Sequence, residues 1–216
     1  MHLPTNTPEA IQYLRQSDPV LARLMDSVPA PVYDSSGDVY YDLLSCVVDQ
    51  QIHYRANRKT SFTSLLALFP GGYPHPAHLL RLPEDEVLAT KLSVIKYRTV
   101  CNLATHWLTG EWNQTDWNTL ADETVRQRLG ALGGIGPWTT DMILLFTLGR
   151  PDVFPMDDYQ LKKTLTTLYQ LPADQPLTTP LATIAQRWTP YRSLACQYIW
   201  AYASLPAKTK LLLPIP

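Results

Sequence analysis

Two adjacent carboxylates, Asp157 and Asp158, close the stretch LGALGGIGPWTTDMILLFTLGRPDVFPMDD from Leu129 to Asp158. A carboxylate held beside a reacting carbon can stabilise a cation that develops there. It can equally serve as a plain helix cap, because Asp is favoured at an N-terminus. Ahead of the pair stands the turn Gly133-Gly134-Ile135-Gly136, followed at once by Pro137. Glycines let backbone N–H groups face outward, and proline fits the first position of a helix. Such a turn can hold an anion at the positive end of a helix. The same residues also make an ordinary helix–helix turn, so the residue types leave both readings open.

The elements that must position these groups read as helices almost throughout. Apolar residues recur at Met142, Leu145, Phe146 and Leu148, which predicts a helix from Pro137 to Leu148. Earlier starts are expected near Thr7-Pro8-Glu9 and at Asp18-Pro19, each a cap followed by a first-turn proline. Residues 29–38 and 70–76 read as loops, with two helices between Tyr41 and Leu68. Pro83 is expected to start a short acidic helix, Ser93 to cap one carrying Leu103, Ala104 and Trp107, and Asp122 to lead into the helix before the hairpin. The segment from Gly110 to Asn118 reads as a tryptophan-containing loop. Leu181, Ile184, Ala185 and Trp188, then Leu194, Ala195, Tyr198 and Tyr202, follow helical spacing. The fold class is therefore all-α, with many short helices and tight connections.

Composition sets wider bounds. A chain of 216 residues can bury a sizeable core. No apolar run reaches the length of a membrane span, and the first residues do not read as a secretory leader. Cys46, Cys101 and Cys196 are scattered and form no CxxC pattern, which points to free thiols in a reducing compartment. A net charge of −1 weighs mildly against a nucleic-acid partner, although a local basic face is compatible with it.

Taken together, LGGIGPWTT and LGRPDVFPMDD resemble the helix-hairpin-helix plus Gly/Pro-Asp signature of base-excision DNA glycosylases, and within that superfamily the DNA-3-methyladenine glycosylase II branch. The likeness extends over about residues 38–203. SCVVDQQIHYRA, from Ser45, is similar to the family helix that carries the residue pushed into the DNA stack. KLSVIKYRTVCNLA, from Lys91, resembles the GLS-x-x-K segment, and WTPYRSLACQYIW, from Trp188, matches the family ending. The hairpin with its Asp and the WTPYRS ending are the specific signals.

The resemblance implies a helix-hairpin-helix glycosylase fold with two helical subdomains flanking a cleft. Residues 1–205 would form the unit: about 40–150 one subdomain, 1–39 with 154–205 the other, and 206–216 a peripheral tail. It implies removal of alkylated purines such as 3-methyladenine and 7-methylguanine from double-stranded DNA by nucleotide flipping and hydrolysis, in base excision repair. Asp158 would be the catalytic carboxylate, with Asp157 supporting it as a cap or neighbouring group. Trp138, Met142, Tyr159 and Trp200 would line the base pocket, although core roles stay open for the tryptophans and Tyr159. The hairpin donors to phosphate would be Gly133, Gly134, Ile135, Gly136 and Thr139. Ile52 would be the wedge, with Gln51 and His53 beside it at the minor groove; a core role for Ile52 stays open.

No cofactor is expected beyond a monovalent cation at the hairpin–phosphate contact. Trp138 occupies the position of the lyase-type relatives' nucleophilic lysine, which implies a monofunctional enzyme. Only Cys196 stands where iron–sulfur relatives carry four cysteines, which implies no cluster. A monomer is expected, cytoplasmic and nucleoid-associated in a bacterium or nuclear in a eukaryote. Three departures from the family stand out: Lys91 replaces a glycine, Asp49 replaces a small residue and adds charge near the DNA face, and Met142 replaces an aromatic residue. The basic face would be built from Arg55, Arg58, Lys59, Lys96, Arg98, Lys162 and Lys163. A non-catalytic helix-hairpin-helix DNA-binding or lesion-sensing module is the alternative, and a buried carboxylate beside an aromatic pocket discriminates the two.

Overall fold

The computed structural model describes residues 6–32, 36–49, 61–172 and 175–206, and among them every regular element is helical. None of these helices is long and apolar enough to cross a membrane. The chain divides into two compact units, one of Met1–Tyr33 with Gly149–Pro216 and the other of Asp34–Leu148.

In the first unit, α1 (Pro8–Ser17) and α2 (Pro19–Asp26) each begin with a proline behind a capping side chain, Thr7 and Asp18. The unit continues after Gly149 with α10 (Tyr159–Leu168), α11 (Thr178–Gln186) and α12 (Arg192–Ala203). Asp18 does more than cap. It is fully buried, and Oδ1 accepts the N–H groups of Val20 and Leu21 while Oδ2 accepts the Tyr169 hydroxyl at 2.6 Å and the Trp188 indole N–H at 3.0 Å. Burial, reinforced by the Asp18 charge, pushes the Tyr169 phenol well above its ordinary pKa, so it stays a donor. Hydrogen bonds to a charged group contribute about 1.5–3 kcal/mol each, and losing the carboxylate would strand two buried donors. A local cap thus becomes the hub joining α2 to the ends of α10 and α11.

The second unit is built around α3 (Val39–Asp49), which packs against α4 (Ser61–Leu66), α7 (Val94–Thr109) and α9 (Pro137–Met142). Two short helices, α5 (Pro76–Leu79) and α6 (Glu84–Ala89), precede α7, and α8 (Asp122–Gly130) follows it. Pro83 is the N-cap of α6 and Ser93 caps α7 through the Lys96 N–H. Nearly every residue of α3 is buried, as befits a helix enclosed on all sides. Its one buried carboxylate, Asp42, accepts the Thr147 hydroxyl at 2.6 Å. Thr147 ends a π-helical turn, Ile143–Thr147, that extends α9 and is closed by Leu148 N–H on Ile143 O. Ile143 and Leu144 are therefore buried along with the four apolar residues that periodicity singled out.

The Gly110–Asn118 segment is not a plain loop. It forms two 3-10 turns that bury Trp112 and Trp117 edge to face at 5.5 Å, with Trp107 against both. Such aromatic pairs add about 0.5–1.5 kcal/mol beyond area burial. Lys96 and Asp49 are also accounted for structurally. The Lys96 ammonium donates to Val48 O at 2.6 Å, at the C-terminus of α3, and the Asp49 carboxylate accepts the Phe62 N–H at the start of α4. Both groups thus make contacts within the unit beside the charges expected of them at a DNA face. Gln51, Ile52, His53, Arg55, Arg58 and Lys59 lie outside the described residues, as do residues 207–216 of the tail.

Two backbone positions make opposite demands. Lys91 adopts φ +70°, the left-handed conformation that the family's glycine accommodates without strain. Gly134 adopts φ +93°, and a Cβ there would stand 2.5 Å from Thr99 Oγ1 on α7. In one thermal or urea unfolding series, Lys91→Gly should stabilise the chain by about 0.5–1 kcal/mol, whereas Gly134→Ala should destabilise it by about 2 kcal/mol. The same sign for both variants, or the reverse of these signs, would invalidate this reading of the backbone.

Candidate functional site

The hairpin belongs to the second unit. After α8 the Ile135 N–H closes a turn on Leu132 O at 3.0 Å, and the Ile135 side chain is buried. Ile135 therefore anchors the turn, and its N–H is not offered to a phosphate as the sequence suggested. Gly136 is the N-cap of α9 and has no side chain to cap it; Pro137 at the next position has no N–H. The first helical bond runs from the Thr140 N–H to Gly136 O. Among the described residues no acceptor takes the N–H groups of Gly134, Gly136 or Thr139. They stand at the positive end of the helix that continues through the π turn.

A Cβ placed on Gly136 would meet nothing within 4 Å, nor would one on Gly133. Glycine at those two positions is thus not required by the chain's own packing, and the bare backbone there is open to close approach by an external group. The Arg126 guanidinium pairs with Asp141 at 3.0 Å and braces α8 against α9, a contact that sequence reasoning did not identify. On α9 itself Trp138 is half-buried, while Met142 is 2% exposed and sits in the core of this unit.

The carboxylates belong to the first unit, and the structure assigns their roles differently from the sequence. Asp158, not Asp157, is the N-cap of α10: its Oδ1 accepts the Leu161 N–H at 2.7 Å. The same oxygen accepts the Trp200 indole N–H from α12 at 3.0 Å. Asp158 is buried, so both donors and the helix end act on it with little screening by water. Asp157 is exposed and lies 3.5 Å from Lys162, a surface pair worth about 0–1 kcal/mol.

Trp200 was expected as a pocket wall; its indole N–H is committed to holding the carboxylate, and its ring is buried. Tyr159 begins α10 and is 74% exposed, so it is not a buried wall of this unit. The structure therefore brings Asp158 and Trp200 together, with Tyr159 next in the chain. It groups the hairpin donors with Trp138 and Met142 in the other unit. Of the basic residues expected on a DNA face and described, Lys96 and Lys162 are engaged by Val48 O and Asp157, and Arg98 and Lys163 are exposed. The acids at 84–86 and 122–123 occupy the first turns of α6 and α8, where helix ends favour them.

No family model matches the chain. It is similar to a putative DNA-3-methyladenine glycosylase of Bacillus subtilis, 27% identical over 167 residues, which cover 75% of this chain and 58% of that protein. It is 28% identical over 181 residues to DNA-3-methyladenine glycosylase 1 of Schizosaccharomyces pombe, covering 81% of this chain and 77% of that one. Among solved structures, the S. pombe 3-methyladenine DNA glycosylase in complex with abasic DNA superposes with a TM-score of 0.77 at 26% identity, over 89% of this chain and 95% of that one. The chain thus spans less than two thirds of the B. subtilis relative and most of the yeast enzyme. A hairpin with open N–H groups, a buried Asp at the head of α10 and these likenesses agree: the chain has the helix-hairpin-helix DNA glycosylase fold and is similar to DNA-3-methyladenine glycosylases.

Proposed function

We propose that this protein is a monofunctional DNA glycosylase that releases alkylated purines, such as 3-methyladenine and 7-methylguanine, from double-stranded DNA. The observation that carries this reading is Asp158, a buried carboxylate fixed by a helix N-terminus and an indole N–H. A buried carboxylate can be structural, as Asp18 is, but Asp158 also stands at the position of the glycosylases' Asp, and a module that only binds DNA needs phosphate contacts and no such charge there.

The chemistry follows from the substrate class. A base inside a duplex is out of reach, so the nucleotide must rotate outward, at an unstacking cost on the order of a few kcal/mol. The hairpin N–H groups of Gly134, Gly136 and Thr139 hold a backbone phosphate and fix register without reading sequence. The wedge among Gln51, Ile52 and His53 fills the vacated stack. An alkylated purine is cationic and a good leaving group, so departure needs no strong acid. What it needs is negative charge near C1′, where an oxocarbenium-like cation develops, and Asp158 supplies it and directs the attacking water. The exposed ring of Tyr159, next in the chain to Asp158, offers an electron-rich face to a cationic base, worth roughly 0.5–2 kcal/mol. Trp138 in place of a lysine leaves no amine there to form a Schiff base. The hairpin carries no carboxylate, so a monovalent cation at the phosphate would rest on backbone carbonyl oxygens; the fit is compatible with a weakly held ion.

One assay tests the reaction. Methylated duplex DNA incubated with the protein in the presence of borohydride should yield free methylpurines, an intact abasic strand and no trapped protein–DNA adduct. Asp158→Asn should bind DNA as before and lose base release by about 10²-fold or more. Near-normal release by this variant would refute the role of Asp158, and a trapped adduct would refute the monofunctional mechanism.

A second measurement concerns the hairpin. With two to four phosphates engaged by charged side chains, and the hairpin N–H groups holding others without full charges, binding to intact duplex should fall with log salt at a slope of about −2 to −4. Gly136→Ala should keep its unfolding temperature, because the added methyl meets nothing, yet weaken duplex binding about tenfold. Unchanged binding would remove the hairpin from the DNA contact.

A further inference from the structure

The two sequence motifs that stood out, LGRPDVFPMDD and WTPYRS, are separated by some forty positions, yet in the first unit they meet residue by residue. Arg192, the first residue of α12, forks onto Asp152: Nε to Oδ1 at 2.7 Å, Nη2 to Oδ2 at 3.0 Å, and Nη2 again to the Asp152 carbonyl at 2.9 Å. Its own backbone N–H also reaches Oδ1. Ser193, fully buried, grips the residues on either side. Its hydroxyl donates to Arg150 O at 2.6 Å and accepts the Val153 N–H at 2.9 Å, while its N–H donates to Pro151 O at 3.0 Å. Each of the four residues 150–153 is therefore held by the first turn of α12. Two turns further along the same helix, Trp200 holds Asp158.

Between Val153 and Asp158 lie only four residues, Phe154 to Asp157, of which Pro155 is buried. A segment this short, fixed at one end by Arg192 and Ser193 and at the other by Trp200, has little freedom to displace the carboxylate. The geometry points to Arg192 and Ser193 as positioning residues for Asp158, acting with Trp200 so that one rigid helix sets the place of the catalytic charge. A bidentate guanidinium–carboxylate pair suits this task, because it fixes orientation as well as distance. The inference rests on the glycosylase reading for its kinetic consequence, while the geometric part stands on its own.

The test combines kinetics with the indole N–H resonances of the six tryptophans, the Trp200 signal being assigned by its loss in Trp200→Phe. Arg192→Met should lower kcat for base release about 10- to 100-fold, with KM and the salt slope of binding unchanged, and should displace the Trp200 resonance. Arg192→Lys, which keeps the charge without the fork, should recover part of both. Should Arg192→Met fail to fold, Ser193→Ala removes a single hydroxyl and carries the same two readouts. A lowered unfolding temperature with kcat and the Trp200 resonance both as in the wild type would overturn the inference and leave Arg192 a structural brace. Absence of base release by the wild type would instead refute the proposed function, and the indole resonance would still decide whether these residues set the Asp158–Trp200 geometry.

Discussion

A carboxylate in a protein interior is costly unless it is hydrogen-bonded, and Asp158 is kept there by two donors on one oxygen and the N-terminus of α10. Much of the first unit follows from that constraint. The indole donor fixes where α12 must lie, and the first turn of α12 fixes the loop that delivers Asp158. The same device occurs a second time at Asp18, another N-cap carboxylate with a tryptophan indole as partner. There both oxygens are saturated by four donors, and the group serves as a packing hub. Similar local chemistry thus supports a structural charge in one place and, on the reading proposed here, a working charge in another.

The second unit solves a different problem, which is to leave backbone donors open without leaving them loose. Gly134 lies so close to Thr99 that the turn is fixed against α7, and the Arg126–Asp141 pair ties its two helices together. Between these restraints Gly136 stays uncovered at the helix end. Deeper in, the enclosed helix α3 and the π turn after α9 form an apolar core relieved by one buried pair, Asp42 and Thr147. π turns inside α-helices are frequent at functional sites, and this one follows directly on the hairpin helix.

What could be read from the sequence was local. Thr7-Pro8, Asp18-Pro19 and Ser93 announce helix starts because a cap acts on N–H groups two or three residues away. Even the departure at Lys91 was visible, although its cause, a left-handed backbone, was not. What escaped were pairings between residues far apart in the chain: Trp188 with Asp18 across 170 positions, Trp200 with Asp158 across 42, Arg192 with Asp152 across 40. Periodicity places such residues on helices and says nothing of which side chain each one meets. That is why the sequence suggests a cap at Asp157, where Asp158 holds it, and does not reveal that Trp200 donates to Asp158. The tryptophans at 112 and 117 looked like loop for the same reason, since their burial depends on one another and on Trp107.

The central claim is that Trp200 acts on catalysis through Asp158, and a double-mutant cycle on base release tests it most directly. The rate of methylpurine release would be measured for the wild type, Trp200→Phe, Asp158→Asn and the double variant. Trp200→Phe alone should slow release by about tenfold or more, and in the Asp158→Asn background it should change almost nothing, because the charge it positions is already gone. Independent losses that multiply in the double variant would contradict the account and make Trp200 a contact to the substrate in its own right.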